Sequence, residues 1–257
     1  MMSEIIRPSP KNKTAALFVT CLVDSIYPNT GISTVHLLEH VGTTVEFPTT
    51  QTCCGQPAFN AGFWNDARPA ARQFMHAFKD ADLIVTPSGS CASMVRHYYP
   101  QLFEQDPRLH REAVRIASIT WELTEYLVDG LEIRNLNGTL PPTTVAFHHA
   151  CHGLRLLHLA TQARTLVEHI NGVTVLDWPE GTECCGFGGL FAVKMPEVSG
   201  AMLQTKLRAI NTINADTIIT GDSGCLAQIN GGLSRAGEPL HVVHIADFLA
   251  QSIEKRT

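Results

Sequence analysis

Two kinds of segment alternate along the chain. Short apolar runs, of the sort that fill a parallel sheet, are separated by longer stretches whose apolar positions recur at helical spacing. The first run is Thr14-Ala15-Ala16-Leu17-Phe18-Val19-Thr20, followed by a helical period from Ser33 to His40 and a second run, Thr44-Val45-Glu46-Phe47-Pro48. An amphipathic stretch over about residues 62–79 leads to a third run, Ala81-Asp82-Leu83-Ile84-Val85-Thr86. The succession then starts again. Thr144-Val145-Ala146-Phe147-His148-His149-Ala150 matches the first run, Ala163 to Ile170 the first helical period, and Val173-Thr174-Val175-Leu176-Asp177-Trp178-Pro179 the second run. Residues 192–213 match the long amphipathic stretch, and Ala215-Asp216-Thr217-Ile218-Ile219-Thr220 the third run. Each half closes alike, with Trp121 to Leu127 echoed by Val243 to Leu249.

The cysteines repeat in step. Cys21, Cys53, Cys54 and Cys91 return as Cys151, Cys184, Cys185 and Cys225, at offsets of 130, 131, 131 and 134 residues. A near-constant offset over half the chain marks an internal duplication. The pattern predicts an α/β fold of two similar lobes, residues 1–135 and 142–257, each with a parallel sheet and helical crossovers. Asn135 to Pro142, where Asn, Gly and Pro collect, is the expected junction. In open parallel sheets the binding crevice lies beyond the carboxyl ends of the strands. Every cysteine position follows a predicted strand, so thiols spread over about seventy residues of each half are expected to converge.

Consecutive strand residues point to opposite faces, so Cys53 with Cys54, or Cys184 with Cys185, can share a metal only at a turn or helix start. Gly55 and Gly186 supply that turn. In Cys184-Cys185-Gly186-Phe187-Gly188-Gly189, bare backbone N–H groups can donate to sulfur, and the following helix is expected to turn its positive end to an anionic group. The string does not make the Gly-x-Gly-x-x-Gly phosphate fingerprint. Four thiolates suit tetrahedral zinc or a four-iron cluster. Ligands drawn from three strand ends, with a contiguous pair, fit a broader object better than one ion. Direct dithiol–disulfide chemistry by the vicinal pairs stays open as a further reading, as does a zinc-stabilised scaffold.

Composition narrows the setting. The chain has 257 residues, enough for an apolar core without disulfide staples, and eight cysteines that suit the reducing cytoplasm as metal-binding or redox thiols. A net charge of −5 with 17% charged residues and no charged tail makes nucleic acid an unexpected partner. No apolar stretch is long enough for a membrane span, and the start lacks a secretory apolar region.

Single Cys, Cys-Cys-Gly, single Cys, at these spacings, resembles the cysteine-rich or CCG domain found in heterodisulfide reductase and in the iron–sulfur component of glycolate oxidase. The strings Gln51-Thr52-Cys53-Cys54-Gly55-Gln56-Pro57, Pro87-Ser88-Gly89-Ser90-Cys91 and Glu183-Cys184-Cys185-Gly186 are most similar to the lactate-utilisation protein A family. The similarity runs from about Ala15 to Leu249. The resemblance implies an iron–sulfur subunit, with one or two clusters of 4Fe-4S type, in a complex that oxidises L-lactate. It implies lactate-utilisation proteins B and C as partners and electron transfer towards the respiratory chain, not a complete oxidoreductase in one chain.

One departure stands out. The heterodisulfide reductase pattern ends each motif in Cys-x-x-Cys, whereas Ser88 and Asp222 occupy the first of those positions here. Either a four-thiolate cubane or a cluster with an oxygen ligand from Ser88 or Asp222 follows, or both residues are simply caps and turn formers. His148, His149 and His152 flank Cys151, where they can tune potential, move protons or serve as hydrogen-bonded structure, with His152 a possible further metal ligand. Trp121, Trp178 and Phe187 read as core or site walls. No hydrolase motif and no flavin or nicotinamide site is recognisable.

Overall fold

The computed structural model describes residues 7–254. Four strands, β1 (Ala15–Leu17), β2 (Val45–Glu46), β3 (Ile84–Thr86) and β4 (Thr120–Glu122), form one sheet in the order β2-β1-β3-β4. Four more, β5 (Thr139–His148), β6 (Asn171–Val175), β7 (Thr217–Thr220) and β8 (His241–His244), form a second in the order β6-β5-β7-β8. All pairings are parallel, and the registers correspond: Ala16 faces Ile84 in the first sheet as Ala146 faces Ile218 in the second. The two lobes of the duplication are therefore real, and both are α/β. The central strands β1 and β3 are buried at every residue, which is why they read as unbroken apolar runs.

Each lobe has one strand more than the pattern predicts. β4 has three residues and is entirely buried, and it passes at once into a helical turn through a capping box between Glu122 and Glu125. Unlike β1 and β3, which are as short, β4 is Thr-Trp-Glu and has no apolar run to announce it. The long amphipathic stretches are helices Trp64–Ala77 and Pro196–Ile210.

The lobes are fused through a common core. One cluster joins Ala15, Leu37, Leu38, Val85 and Trp121 of the first lobe to Val145, Phe147, Leu166, Ile219 and Ile245 of the second. Across it, Thr30 Oγ1 donates to Asp247 Oδ2 at 2.7 Å, tying helix Pro28–His40 to helix Ile245–Ile253. Each lobe keeps a second core of its own on the far face of its sheet. Full burial of a leucine such as Leu37 or Leu38 contributes about 1.5–3 kcal/mol, so the shared core resists separation of the halves. Among the described residues no helix is long and apolar enough to cross a membrane.

Candidate metal centre

In a sheet of order 2-1-3-4 the chain leaves its first and third strands in opposite directions, opening a crevice at their carboxyl ends. Cys21 starts the helix Cys21–Ile26 there, a few residues beyond β1, and Cys91 sits in helix Gly89–Ser93, beyond β3. The second lobe repeats this with Cys151 at the start of Cys151–Leu156 and Cys225 in Ser223–Ala236. Thr20, just before Cys21, has φ 76° and ψ 152°, a region open mainly to glycine. Strain of this kind costs about 1–3 kcal/mol and marks a site whose surroundings dictate it.

Cys-Cys-Gly makes the turn that brings both vicinal thiols to one side. Gly55 has φ 83° and Gly186 φ 84°, and their side-chain faces abut helix backbone: a Cβ would lie 3.1 Å from the Ala67 carbonyl oxygen or 2.8 Å from that of Ser199. The same glycines donate N–H to sulfur, Gly55 to Cys53 Sγ and Gly186 to Cys184 Sγ, each at 3.4 Å. Cys54 Sγ lies 3.4 Å from Cys91 Sγ, and Cys185 Sγ 3.2 Å from Cys225 Sγ. All eight thiols are free, and Cys54, Cys91, Cys185 and Cys225 are the buried ones.

Within each quartet the thiols bond in a chain that sorts their acidity. The neighbouring Cys21 and Cys54 thiols, with the Gly55 N–H, pull the Cys53 thiol down to about 3. Cys151 and Cys185 do the same for Cys184, down to about 2. The donors are driven the other way: Cys21 rises because it bonds Cys53, Cys54 because it bonds Cys53 and Cys91, and Cys151 because it bonds Cys184. Four thiols gathered at one crevice, with N–H donors at Cys53 and Cys184, are a donor set suited to a cation.

The two quartets open onto one cavity of about 220 Å³, lined by all eight cysteines. Sequence reasoning expected one site per lobe and missed this sharing. The lobes meet there through small residues and turn atoms. Gly89 packs on Gly153, so that a Cβ at Gly89 would lie 3.1 Å from the Gly153 Cα, and Gly189 packs likewise against Pro57 of the opposite Cys-Cys-Gly loop. Gly89 N–H donates to the Gly221 carbonyl at 3.3 Å, and Ser93 Oγ to the His152 carbonyl at 3.2 Å.

Ser88 and Asp222 lie buried where the lobes touch. Ser88 Oγ accepts from Cys91 N–H, and Asp222 Oδ1 from Gly224 N–H, so each caps the helix that carries its cysteine. Asp222 Oδ2 also reaches across, accepting from Ser88 Oγ at 3.2 Å and Ser90 N–H at 2.9 Å. Both line the cavity, as does His152, whose Nδ1 is 3.6 Å from Cys151 Sγ. His148 lies deeper, 2% exposed, and burial with the nearby Lys206 charge pulls it down to about 3, so its ring is neutral. Burial also lowers His149. Phe187 is a cavity wall, Trp178 lies behind the second quartet in that lobe's core, and Trp121 belongs to the shared core beneath Arg7.

A thiophilic group fits this donor set, with N–H donors already aimed at sulfur and apolar walls from Leu22, Pro57, Phe187 and Leu190. Sulfur atoms around one tetrahedral zinc, at a bond length of about 2.3 Å, stand roughly 3.8 Å from each other. Among the described residues, the one group of three ligand atoms lying mutually within 4.8 Å is His148, Cys185 and Cys225.

Residues 15–96 and 145–230 match the cysteine-rich domain, CCG. The chain is 46% identical to lactate utilization protein A of Geobacillus thermodenitrificans over 234 residues, 91% of this chain and 97% of the relative. It is 42% identical to lactate utilization protein A 2 of Bacillus cereus over 240 residues, 93% and 99% of the respective lengths. The crystal structure of a hypothetical protein from Helicobacter pylori aligns with 99% of this chain at a TM-score of 0.64 and 12% identity. The chain spans 52% of that protein's length, and the likeness is one of fold.

Proposed function

The chain belongs to the CCG cysteine-rich domain family and, within it, to the lactate utilization protein A group, and from that premise we propose that it is an iron–sulfur electron-transfer component of L-lactate utilization. The observation that carries this reading is the pair of matched thiol quartets lining one cavity. Cys21, Cys53, Cys54 and Cys91 would hold one cluster, and Cys151, Cys184, Cys185 and Cys225 the other. When bound, four-iron clusters supply one-electron transfer.

The chain's own part is to prepare the ligands. Gly55 and Gly186 N–H groups stabilise the thiolates of Cys53 and Cys184, and the Cys-Cys-Gly turn presents both vicinal thiols to the cavity. Ser88 and Asp222 fix the turns that deliver Cys91 and Cys225. Burial keeps Cys54, Cys91, Cys185 and Cys225 largely from water. Lactate utilization proteins B and C are the partners we infer for exchange of electrons, and the eight free thiols support a cytoplasmic location.

Iron and acid-labile sulfide analysis, with EPR of protein purified without oxygen, tests the reading. Iron and sulfide should be present, and a Cys184→Ser/Cys185→Ser variant should lose one centre's spectrum and halve the iron while keeping its fold. Lactate-driven electron transfer in the complex reconstituted with those two partner proteins should then collapse. Stoichiometric zinc without iron after anaerobic reconstitution would refute the reading.

A further inference from the structure

The quartets are duplicates, but what lies behind them is not. In the first lobe Phe18 and Phe74 stand edge to face, ring centroids 4.7 Å apart, and both are fully buried. The repeat puts His148 in place of Phe18, since each stands two residues beyond the matched Ala16 and Ala146 and three ahead of the lobe's first cysteine. It puts Lys206 in place of Phe74, because Ala67, Ala71 and Phe74 form the same buried helix face as Ser199, Leu203 and Lys206. The contacts of Gly55 with Ala67 and of Gly186 with Ser199 set that register. An aromatic pair behind the first quartet thus becomes an imidazole and an ammonium behind the second.

Both polar groups are sealed from water. Neither ring nitrogen of His148 has a hydrogen-bond partner, and one lies within 4.8 Å of Cys185 Sγ and Cys225 Sγ. Lys206 is 1% exposed, donates to the Glu180 carbonyl and sits over the Trp178 ring. A buried polar group without a partner is destabilising until it finds one. The Gly181 backbone beside the ring makes no hydrogen bond to it, and the sulfurs of the second quartet lie close enough to accept its N–H.

We propose that His148, backed by the Lys206 charge, donates its ring N–H to the Cys185 and Cys225 sulfurs and so makes the second centre the more easily reduced of the two. This rests on the iron–sulfur reading above. Reduction adds negative charge at the sulfurs, which an N–H donor and a buried cation stabilise more in the reduced than in the oxidised form. The first centre, backed by two phenyl rings, lacks both. An electron shared between the centres therefore rests on the second, and the first is left oxidised.

The test is an EPR-monitored redox titration of the full chain purified without oxygen. The native protein should show two midpoint potentials, with weak 14N coupling at the centre of higher potential. His148→Phe, which writes the first lobe's residue into the second, should lower only that potential and remove the coupling. His148→Gln, which keeps an N–H donor, should recover part of the shift. Lys206→Met leaves the imidazole in place and should lower the same potential, independently of how the His148 variants fold. Unchanged potentials in both His148→Phe and Lys206→Met, or an equal fall at both centres, would overturn the inference. So would strong 14N coupling in the native protein, which would make His148 a ligand. Absence of any iron–sulfur signal in the native chain would be a distinct failure, removing the parent reading and this inference together.

Discussion

Asp222 is the residue whose loss should reach furthest, because one carboxylate serves both lobes. Asp222→Ala removes the cap on Gly224 N–H, worth about 1 kcal/mol. It also removes the acceptor for Ser90 N–H and Ser88 Oγ. Hydrogen bonds to a charged group contribute about 1.5–3 kcal/mol each, and Ser88 Oγ can partly fall back on Ser90 Oγ at 3.2 Å. The expected total is about 3–5 kcal/mol. For a chain of this size about 2 °C of melting temperature accompanies each kcal/mol, so the midpoint should fall by about 6–10 °C. Circular dichroism melts of protein purified without oxygen would measure it, with Asp80→Ala, at an exposed position, as the control. Asp222→Asn keeps the Oδ1 cap and should cost about half as much. Because the bridged turn delivers Cys91, iron at the first centre should also fall, although Asp222 lies in the other lobe. A loss below about 2 °C, no larger than the control's, would refute the view that this carboxylate pins the lobes together.

Glu122 should make stability depend on pH. Burial raises its carboxyl from 4.5 to about 7, against the opposing donors of Thr124 and Glu125, so the folded state holds a proton that the unfolded state releases. Stability should therefore fall as pH rises through that window, by up to about 3 kcal/mol, and Glu122→Gln should flatten the trend in urea midpoints; an unchanged slope would reject it. Gly186→Ala should lower the melting midpoint and empty the second centre while the first keeps its iron, since the added Cβ meets the Ser199 carbonyl at 2.8 Å in a left-handed backbone. Gly42→Ala, also at positive φ but with nothing within 4 Å of its Cβ, should leave iron content untouched; equal iron loss in the two variants would refute the steric argument.

The alternation of apolar runs and helical periods, the duplication and the eight cysteines were all legible in the sequence, because each is written in local spacing. Buried parallel strands leave unbroken apolar runs such as Ala15–Leu17, and a turn that needs positive φ leaves a glycine at Gly55 and Gly186. Strand and helix periods report which face of an element is buried, but not what approaches that face from 130 residues away. β4, as Thr120-Trp121-Glu122, has two polar residues of three and so left no apolar run, although burial in the sheet makes it a strand. His148 and Lys206 read as polar positions, and only the packing of strand end against helix put them behind the second quartet. Ser88 and Asp222 read equally well as ligands or caps. Tertiary structure made them caps that also bond one another, and the fused core of the lobes turned two expected sites into one cavity, because closing Gly89 against Gly153 brings both crevices face to face.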